Sequence, residues 1–222
     1  MELSIDTASE LASVALSQEG ALVAECTWRC RRNHSVELLP SVDRLLVQAS
    51  ADRASLSAVF VSTGPGMYTG LRVGIATAMG LARALGLPLV GVGRLELEAY
   101  AHSAFPGTVV AVHRAGRGEL AWASYAGGPW REVEPAQLSK PEELPRRLTG
   151  PVLVVGEVDE MLREALAGLP NVVVAAPSAS IRRAGTLAAL GYERMSSGAV
   201  SEPALLRPVY LRPPAIGPQE ER

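Results

Sequence analysis

The chain has 222 residues, 48% hydrophobic and 20% charged, with a formal net charge of −2. That composition is globular, too apolar for disorder, and lacks the basic surplus of a stand-alone nucleic-acid binder. Lys140 is the only lysine among 21 basic residues, which excludes P-loop NTPase and protein-kinase chemistry, because each needs a lysine on the phosphates.

In chain order, apolar runs predict strands at residues 3–5, 13–17 and 21–28, the last two joined by the turn Gln18-Glu19-Gly20. Asp6 and Thr7 open the polar turn after the first strand. Cys26 and Cys30 lie about 13 Å apart along an extended segment, too far for a disulfide, so both are read as free thiols of a reducing compartment. Leu38, Leu39, Val42, Leu45, Leu46 and Ala49 recur at helical spacing. The regular part of that helix is expected to begin near Leu39, since proline fits poorly inside a helix and Pro40 follows. A strand at 58–62, a helix at 70–85 capped by Thr69, and a strand at 89–92 complete the first half.

The second half repeats the rhythm. Strands are predicted at 108–113, 119–125 and 130–133, then a helix at 142–148, a strand at 152–155, a helix at 159–167, a strand at 172–175 and a helix at 181–195. Two meanders, each followed by alternating helices and strands, predict an α/β protein of two similar lobes, residues 1–101 and 102–212, with a frayed tail at 213–222. The most apolar stretch, 73–92, is interrupted by Arg83, Gly86 and Pro88 and is too broken to span a bilayer. The acidic N-terminus has no signal pattern, so a soluble, cytoplasmic protein is expected.

Gly64, Gly66 and Gly70 sit between a strand and a helix, where backbone amides can hold an anion. Their G-x-G-x-x-x-G spacing departs from the dinucleotide fingerprint. Gly70, Gly74, Ala78 and Ala82 form a row of small residues four apart, suited to close approach by the helix's own sheet or by a partner helix. The Leu39, Val42, Leu46 stripe is open to the same two readings. His34, His102 and His113 form no pair at metal-ligand spacing, which removes a structural zinc site and a metalloprotease helix. Arg29, Arg31 and Arg32 are the densest basic spot, too little for tight RNA binding by this chain alone.

The segments LSIDTAS, NHSVELLPSVDRLL, VSTGPGMYTGLRVGIATAMGLARALGLPLVGV and RPVYLR resemble the bacterial TsaB (YeaZ) family over most of residues 1–101 and the end of the chain. The resemblance implies a two-lobed actin/Hsp70/sugar-kinase-like (ASKHA, ribonuclease H-like) fold. It also implies a non-catalytic part in making N6-threonylcarbamoyladenosine at position 37 of tRNAs that read codons beginning with A. The implied partners are the metal-dependent transferase TsaD, the ATPase TsaE and a second copy of the chain; tRNA is met only through the complex, and no cofactor is implied. The implied interface uses the two helices named above, through Leu38, Leu39, Val42, Leu46, Gly70, Val73, Gly74, Thr77 and Ala78.

TsaD binds its metal through two histidines four residues apart, and those positions fall here on Arg94 and Glu98. A cationic side chain repels a metal, and one glutamate cannot hold it alone. The implied nucleotide cleft, with Asp6, Thr7, Gly64, Gly66 and His113, is degenerate in the same sense: His113 stands where relatives carry an aspartate, and hard cations prefer oxygen. The rival reading is a degenerate ATPase or small-molecule kinase with its own nucleotide site.

Overall fold

A computed structural model describes residues 1–31 and 33–212; Arg32 and the expected tail 213–222 lie outside the described residues. The first sheet is built from β1 (Glu2–Asp6), β2 (Leu11–Gln18), β3 (Ala21–Arg29), β4 (Ala58–Gly64) and β5 (Leu89–Gly93), in the order β3-β2-β1-β4-β5. β1, β2 and β3 form an antiparallel meander, whereas β4 and β5 add in parallel. β1 and β4 are buried along their whole length, which is why they read as continuous runs rather than as an alternation.

The second sheet repeats this plan with β6 (Thr108–Gly116), β7 (Glu119–Ala126), β8 (Arg131–Ser139), β9 (Val152–Gly156) and β10 (Val172–Val174), in the order β10-β9-β6-β7-β8. The pairing is equivalent throughout: antiparallel along β6-β7-β8 and parallel along β6-β9-β10. The expected duplication of a meander plus an α/β unit is therefore what the topology contains. β8 runs well past the predicted 130–133 and includes Pro135, which an edge strand tolerates because no neighbour needs its missing N–H.

Helices α1 (His34–Gln48) and α2 (Tyr68–Leu85) cover the outer face of the first sheet. Leu38, Val42, Leu45 and Leu46 of α1 and Ile75, Ala78 and Ala82 of α2 pack there on Leu3, Ile5 and Val61. α1 begins at His34, five residues before the predicted start, because His34 is buried and its Nε2 meets the Ser9 carbonyl oxygen at 2.9 Å. Pro40 is accommodated on the exposed side of the helix, where the carbonyl left without a partner can be hydrated. α2 starts at Tyr68 after an extended Met67, so the predicted Thr69 cap lies within the helix instead.

Helix α3 (Arg94–Tyr100) lies between the sheets and α5 (Ala184–Ser196) packs on the first sheet and on α3; α4 (Glu160–Leu166) and a 3₁₀ turn at Pro141–Arg147 cover the far face of the second. The sequence reading assigned no element to α3. Its Leu97 packs on Phe60, Val90 and Val92 of the first sheet, while Leu95 and Ala99 pack on Val109, Ala111 and Val155 of the second. α5 returns to the first sheet through Leu187 and Leu190, each worth about 2 kcal/mol when buried. The segment after it does likewise: Ser201 N–H donates to the Leu89 carbonyl and Val209 N–H to that of Thr63, both at 2.8 Å. The expected division at residue 101 thus separates the two sheets but not the packing units, because the last part of the chain crosses back.

Candidate functional site

The two sheets present the same strand end to one cleft. Ile5 and Val112 are each the last residue of their strand in register with the parallel neighbour, so Asp6 and His113 are equivalent positions on opposite walls. The cleft has a volume of about 430 Å³ and is lined by Ser9, Met67, Arg94, Glu98, His113, Glu157 and Arg182 among others.

A chain of alternating charges crosses it. Asp6, 1% exposed, accepts hydrogen bonds from Arg182 on both carboxylate oxygens, with Arg182 Nη2 3.2 Å from Oδ1. Arg182 Nη1 also donates to Glu98 Oε1 at 3.2 Å. The same oxygen accepts from Arg94 Nε at 3.0 Å, an i,i+4 pair along α3 with both side chains almost wholly buried. Arg94 donates onward to Glu157, just beyond β9, whose Oε2 lies 3.1 Å from His113 Nδ1 and accepts the Arg114 N–H at 3.1 Å.

Each charge of this cleft chain faces an opposite one, and the titration directions follow from that. Burial alone would lower the Arg182 pKa, but the Asp6 and Glu98 carboxylates outweigh it and raise the guanidinium above its ordinary value. Burial would raise Glu157, yet the His113 hydrogen bond and the Arg94 charge hold its carboxyl well below the usual carboxylate range.

These contacts bear on the hard cation that the implied nucleotide cleft would call for. A hard cation at Asp6 would need free carboxylate oxygens, and both are committed to Arg182, so the residues present do not fit it. Arg94 and Glu98 are likewise paired with each other and with Glu157 and Arg182, through Glu98 Oε1 alone on the glutamate. Neither Arg182 nor Glu157 was singled out by the sequence reading. Glu157 had one local signal, a carboxylate directly after the apolar strand VLVVG; Arg182 had none, since it meets Asp6 from 176 residues away.

Two of the expected cleft residues face elsewhere. Thr7 turns onto α2, where its hydroxyl donates to the Gly70 carbonyl at 2.7 Å. Gly64 is packed against Leu71 and Val209. A Cβ on Gly66 would stand 2.1 Å from the Ala8 carbonyl oxygen, so this glycine is explained by close backbone approach rather than by an anion cradle.

The expected interface residues divide the same way. Leu38, Val42 and Leu46 are core side chains of the first lobe. Gly70, Gly74 and Ala78 are buried as well; a Cβ on Gly70 would lie 2.2 Å from the Thr7 carbonyl oxygen, and one on Gly74 2.1 Å from Thr7 Oγ1. Within this chain all six are turned inward: Leu38, Val42, Leu46 and Ala78 pack in the core, and Gly70 and Gly74 admit the turn after β1. Leu39, 46% exposed, and the partly exposed Val73 and Thr77 remain at the surface. Beside them are Val36 and Val47 on α1, at 70% and 78% exposure, and Ala76 and Gly80 on α2. Arg29 of the basic spot is paired with Glu10 at 3.1 Å, and Cys26 and Cys30 are free thiols. Among the described residues, no helix is long and apolar enough to cross a membrane.

Comparison with known proteins places this geometry. A family profile described as "TsaD: tRNA N6-adenosine threonylcarbamoyltransferase" matches residues 26–172. The tRNA threonylcarbamoyladenosine biosynthesis protein TsaB of Escherichia coli is 36% identical over 162 residues, covering 69% of this chain and 70% of that one. The solved structure of YeaZ from Pseudomonas aeruginosa superposes with a TM-score of 0.79 at 27% identity, covering 95% of this chain and 99% of the other. A ROK hexokinase from Thermus thermophilus, at a TM-score of 0.54, 12% identity and coverage of 88% and 99%, shares the fold.

Proposed function

The chain belongs to the TsaB (YeaZ) family, and from that premise we propose that it is a non-catalytic subunit in the formation of N6-threonylcarbamoyladenosine at position 37 of tRNAs reading codons that begin with A. It pairs with the transferase TsaD, admits the ATPase TsaE to the complex, and forms homodimers when TsaD is absent. It needs no cofactor of its own and meets tRNA through the complex, in the cytoplasm. Its effect is a population shift in TsaD toward the active arrangement, which requires only that it bind that arrangement more tightly.

The observation that carries this reading is the occupied cleft. Arg182 takes both oxygens of Asp6, and Arg94 stands at a position the resemblance gives to a metal ligand, so this chain is poorly equipped for Lewis-acid chemistry or for holding a magnesium–phosphate group. An ATPase or kinase reading would need Asp6 turned toward such an ion. For the partner surface we propose the outward side of α1 and α2, with Val36, Leu39, Val73, Ala76, Thr77 and Gly80. Gly80 has nothing within 4 Å of a built Cβ, which leaves its backbone open to a neighbouring helix.

The test is transfer of threonylcarbamoyl to tRNA by cognate TsaD, with TsaE and the threonylcarbamoyl-adenylate donor, measured with and without this chain. The reading predicts a large rise in turnover on addition and no modified nucleoside from the chain alone. An unchanged TsaD rate, or ATP turnover by the isolated chain, would overturn it.

A further inference from the structure

Arg182 is set apart by what surrounds it. Its side chain is 4% exposed and donates to five oxygens: both carboxylate oxygens of Asp6, Glu98 Oε1 at 3.2 Å, Ser9 Oγ at 3.0 Å and the Leu11 carbonyl at 3.4 Å. These acceptors come from the first sheet and its first turn and from α3, whereas Arg182 enters from the crossing segment before α5. Two carboxylates, a hydroxyl and a carbonyl make an all-oxygen set of the kind a hard divalent cation takes. The second oxygen of Glu98 is buried and has no hydrogen-bond partner among the described residues.

We infer that Arg182 is the resident cation of the cleft: a tethered guanidinium seated in an oxygen cage whose composition suits a hard divalent ion. A guanidinium keeps its charge at any ordinary pH and cannot diffuse away. The tie between the first turn, α3 and the segment before α5 is therefore a constant property of the chain and does not depend on a dissociable ion or nucleotide. Removing the side chain leaves Asp6 buried beside a void without its counter-charge, while Glu98 keeps Arg94 at 3.0 Å, and a buried acid in the state of Asp6 takes up either a proton or a cation.

The experiment titrates wild type, Arg182→Ala and the double variant Arg182→Ala/Asp6→Asn with manganese, read by electron paramagnetic resonance, and with calcium, read by calorimetry. Arg182→Ala is expected to bind one ion at least about tenfold more tightly than wild type, and the added Asp6→Asn change to abolish that gain. Calcium is expected to raise the melting temperature of Arg182→Ala alone. If Arg182→Ala is recovered only unfolded, it is refolded with and without millimolar calcium; recovery in calcium alone supports the inference, and equal failure in both refutes it. A folded Arg182→Ala that ignores both ions, or a wild type that binds manganese through Asp6, also refutes it.

Discussion

Replacing Gly74 by alanine should destabilise the protein, while the same change at Gly80, six residues along the same helix, should stabilise it. Helix propensity alone favours alanine by about 1 kcal/mol at either position. At Gly80 nothing opposes that gain, since its built Cβ meets nothing within 4 Å. At Gly74 the Cβ would lie 2.1 Å from Thr7 Oγ1, and the hydroxyl can yield only by giving up its bond to the Gly70 carbonyl. A buried hydroxyl left unpaired costs about 1–3 kcal/mol, and forcing extra volume into a packed site costs about 1–3 kcal/mol more. Against the propensity gain, the net loss comes to about 3 kcal/mol, or roughly 6–12 °C in melting temperature for a chain of this length. Gly80→Ala should raise the melting temperature by about 2–4 °C. Urea denaturation with a double-mutant cycle isolates the cause. In a Thr7→Ala background the nearest remaining neighbours of the new Cβ, Thr7 Cβ and Ile5 Cγ2, stand at the ordinary distances of 3.4 and 3.6 Å, so most of the penalty should vanish. If Gly74→Ala is as stable as Gly80→Ala, or loses the same amount with Thr7 removed, the small-residue row does not pack on the β1 turn and the argument fails.

Other outcomes follow from the charge network and the thiols. Because the Glu157 carboxyl is held below its ordinary value, its contribution is present above the unfolded carboxylate pKa near about 4.3 and is lost as pH falls through the folded value. The melting-temperature gap between wild type and Glu157→Gln should therefore be widest at neutral pH and close in acid; a gap that widens in acid contradicts the assignment. Arg182, raised by the Asp6 and Glu98 carboxylates, keeps its own charge until strongly alkaline pH. Burial, with hydrogen bonding to Glu37, pushes the Cys30 thiol up to about 11. Iodoacetamide at neutral pH should thus label Cys26 first, with peptide mass mapping as the readout; prior labelling of Cys30 would refute this. Leu39→Glu, at an exposed position, should leave the melting temperature within about 0.5 kcal/mol equivalent of wild type.

Much of the fold was legible because both halves alternate strands and helices, and apolar periodicity records that locally. Three parts were not. α3 is only seven residues long, and its two apolar faces serve different sheets, so no single amphipathic stripe marks it. The return of α5 and residues 201–210 to the first sheet is a long-range choice that no local pattern encodes. The direction of the Gly70–Gly74–Ala78 row was undecided because close approach by a strand turn and by a partner helix demand the same small residues; in the fold, Thr7 lies against Gly70 and Gly74. The site was half legible for a related reason. Asp6 and His113 announce themselves at strand ends, and Arg94 and Glu98 through the family pattern, but the guanidinium that neutralises Asp6 is supplied from 176 residues away.

The outward face of α1 and α2 is the surface proposed to meet TsaD. Light scattering of the chain mixed with its cognate TsaD measures this directly, with Thr77→Arg and Leu39→Glu as surface variants whose fold is checked by circular dichroism. The predicted result is a species with the mass of one copy of each protein for wild type, and separate, folded proteins for both variants. Wild type and TsaD remaining apart, or both variants pairing as wild type does, would contradict it.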